Sequence, residues 1–184
     1  MSIEMLTNVL FSTLRVMTPL LLAALAGLIS QRVNLLNIAL EGLMLFGAFF
    51  AVVFGARFGN PWMGVLFSVL LTLVITSIFA FAVIQLRANL IVAGLAINTL
   101  AVGLTSFLLA TLFDMRGAYS PSGLQSLPHI TLPLISQIPV IGSVVSGHGI
   151  LVYLSWIFAI LTSIFLYQTP LGIHLRAVGE KLEA

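Results

Sequence analysis

Long apolar runs separated by single charged or polar residues dominate the sequence. A charge inside bilayer hydrocarbon costs roughly 2.5–3.5 kcal/mol on insertion scales, so charged residues are expected near the ends of membrane spans. This rule predicts five spans: residues 16–31, the run between Glu41 and Arg57, and residues 62–86, 89–113 and 150–167. The pattern therefore predicts an all-α, polytopic transmembrane helical bundle with about five membrane segments.

The first two spans are shorter than the others. The 16 residues at 16–31 would rise only about 24 Å as an α-helix, less than the ~30 Å of bilayer hydrocarbon. Either residues 32–41 dip into the membrane as irregular backbone covered by neighbouring helices, or the second helix begins near Asn37 and carries Glu41 inside. We favour the second arrangement, which would align Asn34, Asn37 and Glu41 along one side of that helix.

Three polar side chains in or beside the spans are candidates for a substrate path. Ionisable residues inside membrane segments usually face the bundle interior and mark pathways, which points to Asn37 and Glu41. Asn98 joins them because an amide near the middle of the fourth span has to find a partner. Two other roles stay open: Glu41 would be favoured by the dipole of a helix start, and Asn98 would bridge two helices, the commoner role of such an amide.

Two segments depart from the apolar pattern. Residues 114–148 contain four prolines and many Ser and Gly, so they cannot form one continuous helix. A loop of this length is expected to pack on the protein or to meet a partner, with its apolar piece, 138–145, against the membrane surface. After the fifth span, Pro170 and Gly172 are expected to stop the helix, and residues 177–184 to begin a short amphipathic docking helix.

Composition agrees with a membrane protein and removes several kinds of chemistry. Of 184 residues, 60% are hydrophobic and 7% charged, against about 25% charged in soluble domains. The few scattered cations make no nucleic-acid-binding patch. We find no pattern for catalytic residues, a metal site or a cofactor, and the chain has no cysteine. The sole lysine, Lys181, lacks a preceding glycine-rich loop, so any ATP hydrolysis is expected in a separate subunit.

Three ordered stretches carry a resemblance to a known family. They are NIALEGLMLFGAF at 37–49, LRANLIVAGLAIN at 86–98 and TPLGIHLRAVGE at 169–180. These stretches resemble permease subunits of bacterial ABC importers, in the branched-chain amino acid and ribose-type superfamily and its nucleoside and simple-sugar branch. The resemblance implies a multi-pass protein of the bacterial inner (plasma) membrane. The implied partners are a second permease subunit, cytoplasmic ATPase subunits and an extracytoplasmic substrate-binding protein.

The resemblance also implies a topology and a role for the tail. Residues 169–184 correspond to the cytoplasmic coupling segment that seats in a groove of the ATPase, and five crossings then make 114–148 an extracytoplasmic loop. Counting Lys and Arg gives four inside against three outside, which does not decide orientation by itself. The matched coupling positions are Gly172, Arg176, Ala177, Gly179, Glu180, Glu183 and Ala184.

One departure from the family pattern lies in the tail, where Lys181 and Leu182 stand in place of the usual Asn-Pro. Residues 1–184 look like a transmembrane permease domain that is incomplete, the first half of an ABC importer permease. The expected function is translocation of a small polar solute, a nucleoside or a simple sugar. A non-transporting helical membrane scaffold remains the alternative.

Overall fold

The structure is a computed structural model that describes residues 3–121, 126–131 and 141–180. Its helices in that part of the chain are α1 (Ile3–Gln31), α2 (Leu40–Phe58), α3 (Pro61–Ile84), α4 (Leu90–Phe113), α5 (Ile141–Val145), α6 (Ile150–Gln168) and α7 (Pro170–Glu180). Two short strands, β1 (His129–Ile130) and β2 (His148–Gly149), pair antiparallel. Among the described residues, five helices are long and apolar enough to cross a membrane: α1, α2, α3, α4 and α6. The all-α, five-span prediction is confirmed.

The first span begins much earlier than predicted. Helix α1 starts at Ile3 and continues through Arg15 to Gln31, a length of 29 residues, or about 43 Å. The predicted boundary at Arg15 is wrong because a charge in hydrocarbon is unfavourable but does not break the backbone hydrogen bonds of a helix. The long arginine side chain can also carry its guanidinium away from its own Cα. The first span is therefore not short.

The predicted polar side of one helix, with Asn34, Asn37 and Glu41 in line, is also wrong. Asn34 has φ +58° and ends α1, with its N–H donating to Gln31 O at 3.0 Å and the Leu35 N–H to Ser30 O at 3.1 Å. This is a Schellman arrangement, in which asparagine tolerates the left-handed backbone. Helix α2 begins only at Leu40, after a non-helical segment.

The chain divides into two compact units, and the α2–α4 unit covers Leu36–Ser126. Asparagine side chains cap the N-termini of α3 and α4. Asn60 Oδ1 accepts the Trp62 N–H at 2.9 Å, and Asn89 Oδ1 accepts the Ile91 N–H at 2.9 Å. Helix α3 packs closely on α2 at Gly64, where a Cβ would lie 3.0 Å from Gly55 Cα. The buried core joins Ala39, Leu43 and Phe79. These contacts join α2 to α3, and α2 also contacts α4.

The terminal unit covers Met1–Leu35 and Leu127–Ala184. The later part of the long loop, in its described residues 127–131 and 141–148, packs on helices of this unit. The buried His148 ring stacks on Phe11 with centroids 4.0 Å apart, and the Tyr153 hydroxyl lies 2.8 Å from Val145 O. This confirms that the loop packs on the protein. Helix α5 contacts α1, while residues 138–140 of the predicted surface piece lie outside the described residues.

The tail helix starts earlier than its sequence suggested. Helix α6 ends at Gln168, Thr169 is extended, and Pro170 is already the first residue of α7. The predicted start at residue 177 is wrong because proline at the first helical position is favourable: its missing N–H would have no partner there. Pro170 therefore stops one helix and begins the next.

Candidate functional site

Asn98 ties α4 to the first turn of α2. Its side-chain Oδ1 accepts the Gly42 N–H at 2.8 Å, and its Nδ2 donates to Ile38 O at 3.0 Å. The first N–H groups of a helix have no partner within that helix, so the amide acts as a cap supplied from another helix. The sequence left two roles open for Asn98, a place on the solute path and a bridge between helices. Its hydrogen bonds are those of a bridge.

The backbones of α2 and α4 approach closely at this point. A Cβ on Gly42 would lie 2.7 Å from Asn98 Oδ1 and 2.8 Å from Asn98 Cα. A Cβ on Gly94, one turn earlier in α4, would lie 3.2 Å from Ala39 N. Neither position has room for an ordinary side chain without movement. We call the contact of Gly42, Gly94 and Asn98 with the start of α2 the closed seam.

The other two predicted path residues lie beside the closed seam. Asn37 is half-buried, and its Oδ1 accepts the Ala39 N–H at 3.1 Å just before α2 begins. Glu41 is exposed and lies in the first turn of α2, where the helix dipole favours a carboxylate. The structure thus brings Asn37, Glu41 and Asn98 to the same turn. Of these three, Glu41 alone presents a charged group to the surroundings.

The tail helix α7 leaves α6 through a tight, capped corner. Thr169 Oγ1 accepts the Gly172 N–H at 3.1 Å and donates to Phe165 O at 2.6 Å. Gly172 is buried, and a Cβ there would meet Phe165 O and lie 2.7 Å from Leu166 Cα. A glycine at position 172 is therefore required for α7 to pack against the end of α6.

The other end of α7 rests on the backbone that ends α1. A Cβ on Gly179 would collide with Arg32 O and lie 3.3 Å from Val33 Cα. Around this contact Arg32 Nη2 donates to the Tyr167 hydroxyl at 3.0 Å, and the guanidinium carbons of Arg32 and Arg176 lie 5.8 and 5.0 Å from the Tyr167 ring centroid. Such cation–π contacts are favourable. Helix α7 is thereby held at both ends.

Sequence reasoning had singled out Gly172, Arg176 and Gly179 but not Arg32 and Tyr167 in this contact. The available signal was that arginine and tyrosine often mark the ends of membrane spans. Ala177 and Glu180, the other two predicted coupling residues that the structure describes, are both exposed on α7. Glu183 and Ala184 lie outside the described residues.

These features define a class. Among the described residues, five helices can span a membrane. Asn98 of one of them bonds to the start of another, and the short helix α7 packs against the ends of two more. This is the architecture of a multi-pass helical membrane protein. The chain belongs to the family described as "Branched-chain amino acid transport system / permease component", whose model matches residues 9–184. The family resemblance carried by the three sequence stretches is confirmed.

Curated relatives carry transport names. The chain is 36% identical to the "Nucleoside ABC transporter permease protein NupC" of Lactococcus lactis, over 91% of this chain and 54% of the relative. It is 34% identical to the "Guanosine ABC transporter permease protein NupQ" of Bacillus subtilis, over 97% of this chain and 57% of the relative. It is 30% identical to the "Putative glucose ABC transporter permease protein TsgC13" of Haloferax volcanii, over 96% of this chain and 53% of the relative.

The chain spans about half the length of the curated relatives it matches. No solved structure matches the chain.

Proposed function

We propose that the chain is part of the membrane-spanning permease of an ABC importer, which moves a nucleoside or a simple sugar across a bacterial inner membrane. The observation that carries this proposal is the family match over residues 9–184, together with relatives named for nucleoside, guanosine and glucose transport. Cytoplasmic ATPase subunits would supply ATP hydrolysis, because the chain's one lysine has no phosphate-binding loop before it. A second permease subunit and an extracytoplasmic substrate-binding protein complete the assembly.

In this proposal α7 is the coupling helix and residues 169–184 are cytoplasmic. Ala177 is exposed for contact with an ATPase, and Glu180, Glu183 and Ala184 continue the same segment. Gly172 and Gly179 leave no gap between α7 and the ends of α6 and α1. A push on α7 would therefore reach both spanning helices, since closely packed elements transmit displacement. The 114–148 loop would then be extracytoplasmic.

The solute path would pass the start of α2, where Asn37, Glu41 and Asn98 lie. Glu41 is the exposed, charged member of the three, and ionisable groups in spans commonly mark such routes. Alternating access requires two states that bind ATP or solute with different affinity. The Asn98 bridge to Gly42 and Ile38 would be the point where the path is closed.

A pair of substitutions in α7 tests the coupling role in the complete transporter reconstituted in proteoliposomes. Gly179→Leu places a side chain where Arg32 O lies, so we expect ATP-dependent solute uptake to fall at least tenfold. Val178→Leu is the matched control: Val178 is 58% exposed, so the larger aliphatic side chain meets no backbone of α1, and uptake should stay within twofold of the native value. Equal uptake by both variants would contradict the coupling role.

The permease role is tested separately by omitting the chain. Whichever of guanosine and glucose the complete transporter takes up, that uptake should disappear from proteoliposomes that contain every other subunit. Retained uptake would overturn the permease proposal and favour the scaffold. In the full assembly, Glu41→Gln should alter the KM or the maximal rate of uptake at least threefold, and unchanged values would remove Glu41 from the path.

A further inference from the structure

Beyond the closed seam, α2 and α4 leave space between them. A cavity of about 230 Å³ lies in the α2–α4 unit between the middle of α2 and the C-terminal half of α4. Its walls include Phe49, Val52, Thr105, Ser106 and Tyr119. No residue of the closed seam lines it. The cavity is therefore separate from the site formed by Asn37, Glu41 and Asn98.

A second cavity, of about 540 Å³, continues toward the C-terminal ends of the same two helices. The two cavities share Val53 and Tyr119 in their walls, and the second adds Arg57 and Phe113. The second cavity by itself falls in the roughly 300–1,000 Å³ range of small-molecule sites, and the first adjoins it at these two shared residues. We call them the open cavity. It adjoins the segment that follows α4, on the side that the proposed topology makes extracytoplasmic.

The walls combine flat aromatic faces with a few hydroxyl groups. The Phe113 and Tyr119 rings lie 4.2 Å apart at 32°, and the buried Phe49 lines the narrower part of the cavity. Thr105 Oγ1 donates its proton to Ala101 O at 2.7 Å, which leaves its oxygen lone pairs as acceptors. The exposed Ser106 hydroxyl can donate or accept. Such a surface suits a planar ring with hydrogen-bonding edges.

The charge distribution narrows the ligand class further. Arg57 is the charged side chain among the residues lining the open cavity, it is exposed, and it belongs to the outer of the two cavities. The inner cavity is lined by apolar, hydroxyl and aromatic groups. An ionised ligand would lose hydration there without an opposite charge to replace it. A simple sugar has no planar π ring to stack on the aromatic faces of Phe113 and Tyr119, whereas a nucleoside carries one beside its ribose.

We propose that the open cavity is a binding site for a neutral solute with a planar heteroaromatic ring, the nucleoside class, on its way to the closed seam. This inference rests on the proposed function and deepens it, because it selects nucleosides over simple sugars. The ring stacks on Tyr119 and Phe113, and Ser106 and Thr105 contact its polar edge. The competing occupant is a lipid acyl chain, which apolar walls would also accept.

The absence of cysteine from the chain gives a direct test in the complete transporter. Ser106→Cys should react with a hydrophilic maleimide in proteoliposomes, because a solute-binding cavity is hydrated. Millimolar guanosine should slow that reaction at least fivefold, and millimolar glucose should not. Phe107→Cys is the matched control: Phe107 is the next residue of α4, is 63% exposed and lies outside both cavity walls. Its thiol lies on the exposed side of a spanning helix, where it meets lipid and little water, so it should react slowly and guanosine should not change that rate.

Each result decides the inference. No labelling of Ser106→Cys would mean that lipid fills the cavity. Labelling that guanosine does not slow would mean that the cavity is hydrated but binds no guanosine. Either result overturns the inference. Protection by glucose but not guanosine overturns the nucleoside class. Guanosine uptake in the same proteoliposomes distinguishes failure of this inference from failure of the proposed function. Uptake that needs the chain, without protection of Ser106→Cys, contradicts only the cavity as a binding site. Uptake that does not need the chain contradicts the proposed function.

A second variant pair gives an independent readout. Tyr119→Ala removes the stacking face shared by both cavities and should raise the KM for guanosine uptake at least tenfold with a smaller change in maximal rate. Tyr119→Phe keeps the ring and should stay within twofold of the native KM. An unchanged KM in Tyr119→Ala would contradict stacking at this site.

Discussion

The two ends of the α2–α4 pair differ although the same two helices form both. At the closed seam the residues are small or amide-bearing, and the backbones approach until Gly42 has no room for a methyl group. At the open cavity Phe49 and Leu109 stand between the helices and space remains around them. Side-chain size therefore sets the separation of the helices along their length.

The comparison also shows why the closed end needs a hydrogen bond. Helices in lipid gain little from hydrophobic association, since lipid chains are as apolar as leucine, so packing and polar contacts hold them together. Asn98 supplies that contact by satisfying backbone groups of Gly42 and Ile38. At the open end, by contrast, the Thr105 hydroxyl bonds within its own helix.

The largest expected effect comes from filling the closed seam. Gly42→Val places a side chain against Asn98 and breaks its hydrogen bond to the Gly42 N–H. Overpacking and the lost bond together should reduce the free energy of unfolding by about 3–5 kcal/mol. The measurement is loss of helical ellipticity during SDS titration in mixed micelles.

Ala48→Val is the control for Gly42→Val at the open end. Ala48 lies on the same helix and lines the open cavity, so an added pair of methyl groups should change stability by less than about 1 kcal/mol. Equal losses in the two variants would mean that the ends are packed alike, against the comparison.

The next effect comes from removing the amide without adding bulk. Asn98→Leu leaves the Gly42 N–H and Ile38 O without their side-chain partner. We expect a loss of about 1–3 kcal/mol in the same titration, the range for an unsatisfied buried polar group. Thr99→Val is the neighbouring control, because Thr99 is exposed and its hydroxyl donates to Leu95 O of its own helix. A loss in Asn98→Leu no larger than in Thr99→Val would show that the bridge contributes nothing.

Sequence alone predicted the spans well and their polar contacts poorly. Composition identifies membrane spans because bilayer hydrocarbon excludes charge over a length of about 20 residues. The same rule placed the start of the first span after Arg15, whereas α1 begins at Ile3. The rule concerns the free-energy cost of a charge in lipid and carries no information on where a helix begins. The family resemblance is confirmed over residues 9–184, whereas the coupling role of residues 169–184 stays a prediction.

The wrong placement of Asn34 and Asn37 on one helix has a local explanation. Asn34 ends α1 and Asn37 precedes α2, roles that depend on backbone geometry over two or three residues and resemble a helical spacing by coincidence. Asn98 was correctly identified as needing a partner, but that partner lies 56–60 residues away in the chain. Periodicity within one helix carries no information on that distance. The contact of Gly179 with Arg32 was beyond reach for the same reason.

The smallest expected effect sharpens the comparison with a single methyl group. Gly103→Ala, in the C-terminal half of α4, adds a Cβ that meets no atom within 4 Å, so it should raise helix stability by up to about 1 kcal/mol. Gly94→Ala adds the same methyl at the closed seam, 3.2 Å from Ala39 N and Ile38 Cβ, where crowding offsets that gain. SDS titration should therefore place Gly103→Ala above Gly94→Ala in stability by about 1 kcal/mol. The reverse order would mean that α2 and α4 yield at the closed seam, and that its tight packing does not hold the two helices together.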